Sequence, residues 1–409
     1  MKTAPIKNIN KINSLFKIDP DWAKLPLFDR SKWQRVKFGN VVANINDTER
    51  DPQGAGIERF IGLEHLEPGS LHIRSWGNVA DGTTFNRRCR PAQVLFGKRR
   101  AYQRKVAMAG FDAVVSGDIY VFAPKDDRLL PELLPFLCLS ERFFKFAVET
   151  SAGSLSPRTS WTHLANFEFD LPPLDQQRRI AETLWAVDET EQQSLELGKA
   201  LAMTNTATLE EFVSRQGRKG NTMPLSAGCH RVTDGTHQPP KFTDDGVPFF
   251  LVKTISSGFV DWGHTKFVSQ DTYNELTTRV RPKRGDVLYT AVGATYGVAL
   301  LVDFDAPFSF QRHIAHIIPN PAVLDGNYLA LYLNSQHGKR QSDRAAIGSA
   351  QPTVTLGSLS RFQVPYPSLE EQKWLVKKVG EVNVLEKHVG KYVERLRFIR
   401  ATLLDTITA

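Results

Sequence analysis

The sequence predicts an α+β chain in which two similar α+β domains are separated by two long helices that form an antiparallel coiled coil, the whole being pseudo-twofold symmetric. Three observations predict it. A block of sequence recurs at a fixed offset, strand-like runs precede each copy, and a long helical pattern follows each.

The recurring block is Gly153-Ser154-Leu155-Ser156-Pro157 followed by Leu164, Phe167, Pro172, Leu174 and Gln177. It returns as Gly348-Ser349-Ala350-Gln351-Pro352 with Leu359, Phe362, Pro367, Leu369 and Gln372, at a constant offset of 195 (348 − 153). Upstream, Val94-Leu95-Phe96 answers Val287-Leu288-Tyr289 and Leu139-Ser140 answers Asn334-Ser335. A period this long marks a duplicated domain, because solenoid units repeat every ~20–50 residues.

Within each copy the strand-like runs come first. Val94–Phe96, Val114–Phe122, Phe249–Val252, Val287–Tyr289 and His313–Ile318 are β-branched or aromatic and bounded by Gly, Pro or Asp. Apolar residues at helical spacing then predict helices over Leu129–Val148 and Asn327–Lys339, each followed by a loop rich in Gly, Ser, Pro and Thr.

The long patterns follow. In the second copy Leu375, Val382, Leu385, Val389, Tyr392, Leu396, Ile399 and Leu403 fall on heptad steps, interrupted only by Lys378 and Thr406. Ser368-Leu369-Glu370-Glu371 ahead of them fits a capping box. The first copy, from Asp175 to about Gln216, is less regular: Leu184, Leu195, Leu209 and Phe212 fall off the equivalent seam. The resulting boundaries are an N-terminal arm at 1–30, a first domain at 31–172, a central helix at 173–216, a second domain at 217–367 and a C-terminal helix at 368–409.

Composition narrows the function. Hydrophobic residues make up 41% and charged residues 23%, enough core material for a globular rather than disordered chain. No apolar run approaches the ~20 residues that cross a bilayer, and the polar N-terminus lacks a secretory signal, so no membrane contact and a cytoplasmic location are expected. Cys89, Cys138 and Cys229 are widely spread, which argues against a disulfide framework or structural zinc and for packing roles.

The net charge of +8 admits an anionic partner, and its distribution is more telling. Between Asp81 and Asp112 no acidic residue occurs, yet Arg87, Arg88, Arg90, Lys98, Arg99, Arg100, Arg104 and Lys105 do, with Tyr102 among them. Arginine offers a planar fork that matches guanine edges or phosphates, so double-stranded DNA is the expected partner. In the second domain the DNA-binding candidates are His237, Lys241, Lys253, Lys283, Arg284, Tyr296, Gln311 and Arg312, with Lys266, Arg279, Arg281 and His313 nearby in sequence and Asp244, Asp245 and Asp286 interspersed. Divergent polar residues on one plan suit two domains that read different bases.

Catalytic signatures are missing. There is no Gly-x-x-x-x-Gly-Lys-Ser/Thr loop, no Gly-x-Gly-x-x-Gly after a strand and no Asx-Pro-Pro-aromatic tetrapeptide. Asp244-Asp245 before Lys253 lacks the second acidic residue of a metal-dependent nuclease, and His313-x-x-His316 on a strand does not put both rings on one face. No catalytic residue, metal site or cofactor is expected.

Leu171-Pro172-Pro173-Leu174-Asp175-Gln176-Gln177-Arg178-Arg179-Ile180, its echo Val364-Pro365-Tyr366-Pro367-Ser368-Leu369-Glu370-Glu371-Gln372, and the segments Ile61–Gly69 and Leu95–Tyr102 resemble the specificity (S) subunits of type I restriction-modification systems. The likeness spans nearly the whole chain after about residue 31. It implies that the domains are target recognition domains, each reading one half of a split DNA target, and that the helices act as a ruler. It also implies that methylation (M) and restriction (R) subunits dock on this scaffold and bring the methyl donor and ATP, in a system of phage defence. Competing readings are an autonomous DNA-modifying or DNA-cleaving enzyme and a protein scaffold with no DNA role.

Overall fold

The structure, a computed structural model, describes residues 29–408 other than Val280; the arm expected at 1–30 lies outside these residues apart from Asp29 and Arg30. The chain divides into two compact units, one holding the sequence to Ser194 together with Tyr392 onward, the other Leu195–Lys391. Each long helix, Leu174–Arg218 and Leu369–Thr408, therefore contributes one part to each unit.

Both units follow one plan. In the first, an antiparallel sheet has the order Val42–Ile45, Ile119–Pro124, Val94–Gly97, Val106–Met108; in the second, the order is Cys229–Asp234, Ile314–Pro319, Val287–Thr290, Ala299–Leu301. A second sheet in each contains one parallel pair, Arg59–Ile61 beside Ala113–Val115 and Val247–Phe250 beside Ser309–Phe310. The edges differ. Arg87–Cys89 adds a strand to Ala113–Val115 in the first unit, whereas in the second the extra strand, Phe242–Thr243, joins Lys266–Val268. A short ribbon closes each domain, Gln34–Lys37 with Glu168–Leu171 and Thr222–Pro224 with Gln363–Pro365.

Two predicted elements are subdivided. The run Val114–Phe122 becomes Ala113–Val115 and Ile119–Pro124, which belong to different sheets, because a turn closed by the Ile119 N–H donating to the Ser116 carbonyl interrupts it. The helix expected at 129–148 becomes Leu134–Leu139 and Glu141–Glu149, and that expected at 327–339 becomes Gly326–Asn334 and Gln336–Ala345. Ser140 and Ser335 cause both breaks: each is extended, accepts from a backbone N–H three residues on, and donates its hydroxyl to the carbonyl three residues back at 2.8 and 2.6 Å.

A glutamine fastens each domain to its helix. The Gln177 side-chain oxygen accepts from the Leu130 N–H at 2.9 Å, while its amide donates to the Arg128 and Pro172 carbonyls at 2.7 and 2.8 Å. Gln372 repeats this 195 residues later, with Asp325, Val323 and Pro367 at 2.8, 2.9 and 2.9 Å. The capping box expected at Ser368 forms, the Glu371 N–H donating to the Ser368 hydroxyl and the Ser368 N–H to the Glu371 carboxylate. The bond from the Ser368 N–H, then those from the Gln216 amide and the Ser368 hydroxyl, hold the Glu371 carboxyl below its usual pKa.

The helices pack antiparallel, on a seam shifted from the expected one. In the second unit contacts step back along one helix as they advance along the other, from Gln216–Glu371 through Phe212–Trp374 and Asn205–Asn383 to Gly198–Val389. The inward face of the C-terminal helix runs Gln372, Leu375, Val379, Val382, Glu386, Val389, Val393, Leu396, Arg400, Leu403 and Ile407, none of them exposed. Leu385 is instead exposed. Heptad steps of three and four can be phased two ways from Leu375, and both phases collect eight apolar residues. The protein takes the one that encloses Glu386 and Arg400. Subtracting 195 gives the inward face of the central helix, Gln177, Ile180, Leu184, Val187, Glu191, Ser194, Gly198, Leu201, Asn205, Thr208 and Phe212. Leu184 and Phe212 are thus seam residues, contrary to the sequence reading.

At Glu191 the first unit buries charge. Arg400 donates to Asp188 at 2.9 Å and stands 2.9 Å from Glu191 without the alignment of a hydrogen bond; Arg397 donates to Glu191 at 2.7 Å. The same Arg400 donates to the Gly69 carbonyl at 3.2 Å, and His72 lies 2.5 Å from Asp188, so the network also holds a loop of the recognition domain. Each unit has its own core: Phe38, Phe96, Phe122, Phe143 and Phe169 pack with Leu403, Leu404 and Ile407 in the first, Tyr289, Tyr328 and Phe362 with Phe212 and Leu375 in the second. Burial pushes the Cys89 and Cys229 thiols up to about 12, in keeping with packing roles.

Candidate nucleic-acid interface

In the first unit the candidate surface centres on the turn that joins Val94–Gly97 to Val106–Met108 and carries Lys98, Arg99, Arg100, Tyr102, Arg104 and Lys105. The Gly/Ser/Pro loop braces this turn. Arg99 bridges to Arg158, the Arg100 N–H donates to the Pro157 carbonyl at 2.7 Å, and the Thr159 N–H donates to the Lys98 carbonyl at 3.0 Å.

The stretch that lacks acids in sequence acquires them in space. Asp118 accepts from Arg99 at 3.4 Å and from Arg158 at 3.0 Å. Asp112 holds Arg88 through two bonds, Asp47 holds Arg90 and Glu141 holds Arg104. The expectation that these cations need an external counter-ion is therefore corrected for four of them. Others are drawn inward: Arg87 donates to the Ile119 carbonyl at 3.2 Å, and Lys98 Nζ lies 5.0 Å from the centre of the Tyr120 ring. Burial lowers the pKa of both, with the Arg87 charge adding to the effect on Lys98. Lys105 donates to the Leu63 carbonyl at 2.6 Å. Arg100 and Tyr102 remain exposed, with no side-chain hydrogen bond or ion pair among the described residues.

The backbone singles out two of these arginines. Arg100 and Arg104 have φ of +54° and +55°, left-handed values that cost an L-residue about 1–2 kcal/mol. The equivalent turn of the second unit, 193 residues on (287 − 94), places Gly293 (φ 101°) and Gly297 (φ 87°) there, and glycine adopts such angles freely. The first unit keeps arginine where the duplicate has the unstrained residue. Strain of this kind persists at functional positions.

The second unit repeats the geometry with other side chains. Val292 bridges to Thr353 as Arg99 does to Arg158, and the Ala291 N–H donates to the His313 carbonyl at 2.9 Å as the Lys98 N–H does to that of Asp118 at 3.0 Å. Ala291, Val292 and Thr353 thus stand where Lys98, Arg99 and Arg158 stand. Gln311 and Arg312 meet the Thr236 loop, the Arg312 N–H donating to the Thr236 carbonyl at 3.0 Å; His237 in that loop lies 3.2 Å from Asp234. Burial, then the Arg312 charge, depresses the His313 pKa. Tyr296 donates to Asp343 at 2.8 Å. Lys241, Lys253 and Lys283 are exposed on separate segments and make no side-chain hydrogen bond or ion pair among the described residues, and Arg284 is held by Asp305 through two bonds at 2.9 and 3.0 Å. Among the described residues no cluster of His, Cys, Asp or Glu could hold a metal ion, and no helix is long and apolar enough to cross a membrane.

The sequence signature of the type I restriction modification DNA specificity domain matches residues 90–198 and 245–384, more than half of the chain. The chain belongs to this family. As a specificity subunit it is a non-catalytic DNA-recognition component of a restriction-modification system. Its relatives include the type I restriction enzyme MjaVIII specificity subunit of Methanocaldococcus jannaschii, 22% identical over 92% of each chain. The EcoBI specificity subunit of Escherichia coli is 25% identical over 65% of this chain and 64% of that one. The fold is shared with a solved chain from work on the complex assembly and conformational transition of the type I R-M system, at TM-score 0.58 and 19% identity, covering 92% of this chain and 97% of that chain. It is shared too with the type I S subunit from M. genitalium, at TM-score 0.55 and 14% identity, over 92% and 96%.

Sequence reasoning about this specificity subunit missed Arg158, and it missed Arg59, which lies 4.4 Å from the Trp76 ring centre and 4.5 Å from that of Phe111. Arg158 adjoins the recurring Gly153–Pro157 block, so its proximity to the basic turn was open to inference. Nothing in the sequence announces the Arg59 stack.

Proposed function

We propose that this specificity subunit reads a bipartite DNA target, the recognition domain at 31–172 facing one half and that at 217–367 the other. The helices at 173–216 and 368–409 set the spacing and dock methylation and restriction subunits in the cytoplasm. The basic turn of the first domain contacts the duplex through Arg100 and Arg104, with Lys98, Arg99 and Arg158 shaping the turn; Gln311, Arg312 and His237 serve the second.

The observation that carries this reading is the left-handed conformation of Arg100 and Arg104 opposite Gly293 and Gly297. It also supplies the test. Arg100→Gly and Arg104→Gly relieve strain while giving the unfolded chain more freedom, so stability should change by less than about 1 kcal/mol. Affinity for target duplex should fall, and the slope of log affinity against log salt should drop by about 0.9 for each lost phosphate contact. Unchanged affinity and slope in the double variant would refute the assignment.

A further inference from the structure

A groove of about 640 Å³ lies within the second unit, between the last turn of the central helix and the helix Gln336–Ala345. Val213, Tyr332 and Pro365 form an apolar floor, and Arg218, Arg340 and Arg344 line its rim. The floor is fixed: Tyr332 donates its hydroxyl to the Gln363 carbonyl at 2.6 Å and accepts from the Gln341 amide at 2.6 Å.

The rim cations lack acidic partners. Arg218 and Arg344 make no side-chain hydrogen bond or ion pair among the described residues, and Arg340 donates only to the Gln336 side chain at 3.2 Å. Glu210, the nearby carboxylate, is engaged by the Gln336 N–H at 2.6 Å and by His337 at 3.7 Å. A cation in the last turn of a helix complements the helix dipole, which accounts for the sign of Arg218 and Arg344 but for neither Arg340 nor the recess. The duplicate shows that the fold does not demand this set: the counterparts of Arg340 and Arg344 are Lys145 and Glu149, an ion pair at 4.0 Å, and that of Pro365 is Asp170.

We infer that this groove binds an acidic segment of a protein partner, with one aromatic or aliphatic side chain on the floor and flanking carboxylates on the three guanidiniums. A duplex would present phosphates to the rim but nothing apolar to fill the recess, whereas such a segment satisfies both. Bidentate arginine–carboxylate pairing and a side chain seated in a fixed pocket are the means by which a short segment gains specificity. The inference rests on the reading of this chain as a subunit that docks other proteins, and is independent of which residues read DNA.

The test uses the full chain and a dye-labelled peptide, Glu-Asp-Phe-Asp-Glu, followed by fluorescence anisotropy. The peptide should bind, its Gln-Asn-Phe-Asn-Gln analogue should bind less well, and Arg340→Glu with Arg344→Glu should weaken binding on the order of tenfold or more. The neutral pair Arg340→Gln with Arg344→Gln should give an intermediate loss, guarding against misfolding. Salt-dependent affinity for a duplex of about two helical turns should be the same in all variants. Absence of peptide binding, equal binding by the variants, or a fall of about two in the duplex salt slope would overturn the inference, the last by assigning the groove to DNA; loss of duplex binding in the Arg100 and Arg104 variants bears on the other reading alone.

Discussion

The two stretches of the helix seam share one geometry and differ in chemistry. In the first unit the buried Asp188, Glu191 and Arg400 form a charged network that the exposed Arg397 joins. In the second, the positions 195 residues away in the repeat hold Asn383, Glu386, Ala202 and Asn205. The Arg400–Asp188 bond is matched by the Asn205 amide donating to Asn383 at 2.5 Å, but the Asn205 side-chain oxygen and one Glu386 oxygen are enclosed without a hydrogen-bond partner among the described residues. One polar layer has been elaborated into a clamp on the recognition domain, through Gly69 and His72. The other retains the acid and has lost the base. Antiparallel pairing therefore requires only the apolar steps of the seam, and the polar layer is free to take on a separate task in each half.

The largest effect that would break this comparison is expected from Arg400→Met. It leaves Asp188 and Glu191 buried with less charge compensation, and loss of one partner of a buried network costs about 3–5 kcal/mol. Denaturant unfolding followed by amide hydrogen exchange should locate the loss in the first unit, and a loss shared equally by the second would contradict the picture of two separate layers. A smaller and symmetric effect is expected at the glutamine latches: Gln177→Ala and Gln372→Ala each leave buried backbone groups without partners, for about 1–3 kcal/mol apiece. Markedly unequal midpoint shifts would show that the repeat shares geometry but not energetics. The smallest change should be a gain. Asn205→Arg restores the residue type of Arg400 opposite Glu386 and should stabilise the second unit by about 1 kcal/mol, a gain that Glu386→Gln in the same chain should remove. A destabilised Asn205→Arg variant would mean that this layer has no room for a guanidinium.

Much of this was legible in advance because duplication is written in the order of residues. The offset of 195 carried over the paired positions of Gln177 and Gln372 and both long helices, while the breaks at Ser140 and Ser335 fall inside helices that apolar spacing predicts as continuous. The phase of the seam was not legible, since hydrophobic counting weighs Glu386 and Arg400 as errors while the fold encloses them beside other polar residues. The basic cluster was legible as a stretch of chain and misleading as a field, because Asp47, Asp112, Asp118 and Glu141 approach it only once the strands have paired. The strained backbone at Arg100 and Arg104 leaves no mark in a single copy. It becomes readable when the turn is aligned with Gly293 and Gly297 at the slightly shorter offset of the hairpins.

The place of Leu403, Leu404 and Ile407 in the first core has a consequence for biogenesis. A ribosome will have made the whole first domain, the central helix, the entire second domain and most of the C-terminal helix before these side chains exist. Until then the apolar surface around Phe38, Phe143 and Ile180 lacks its cover. Maturation of the first unit thus waits until residues 403–407 have been made, which lengthens the time an adhesive intermediate must be shielded and makes a truncation ahead of them as harmful to the first unit as to the second.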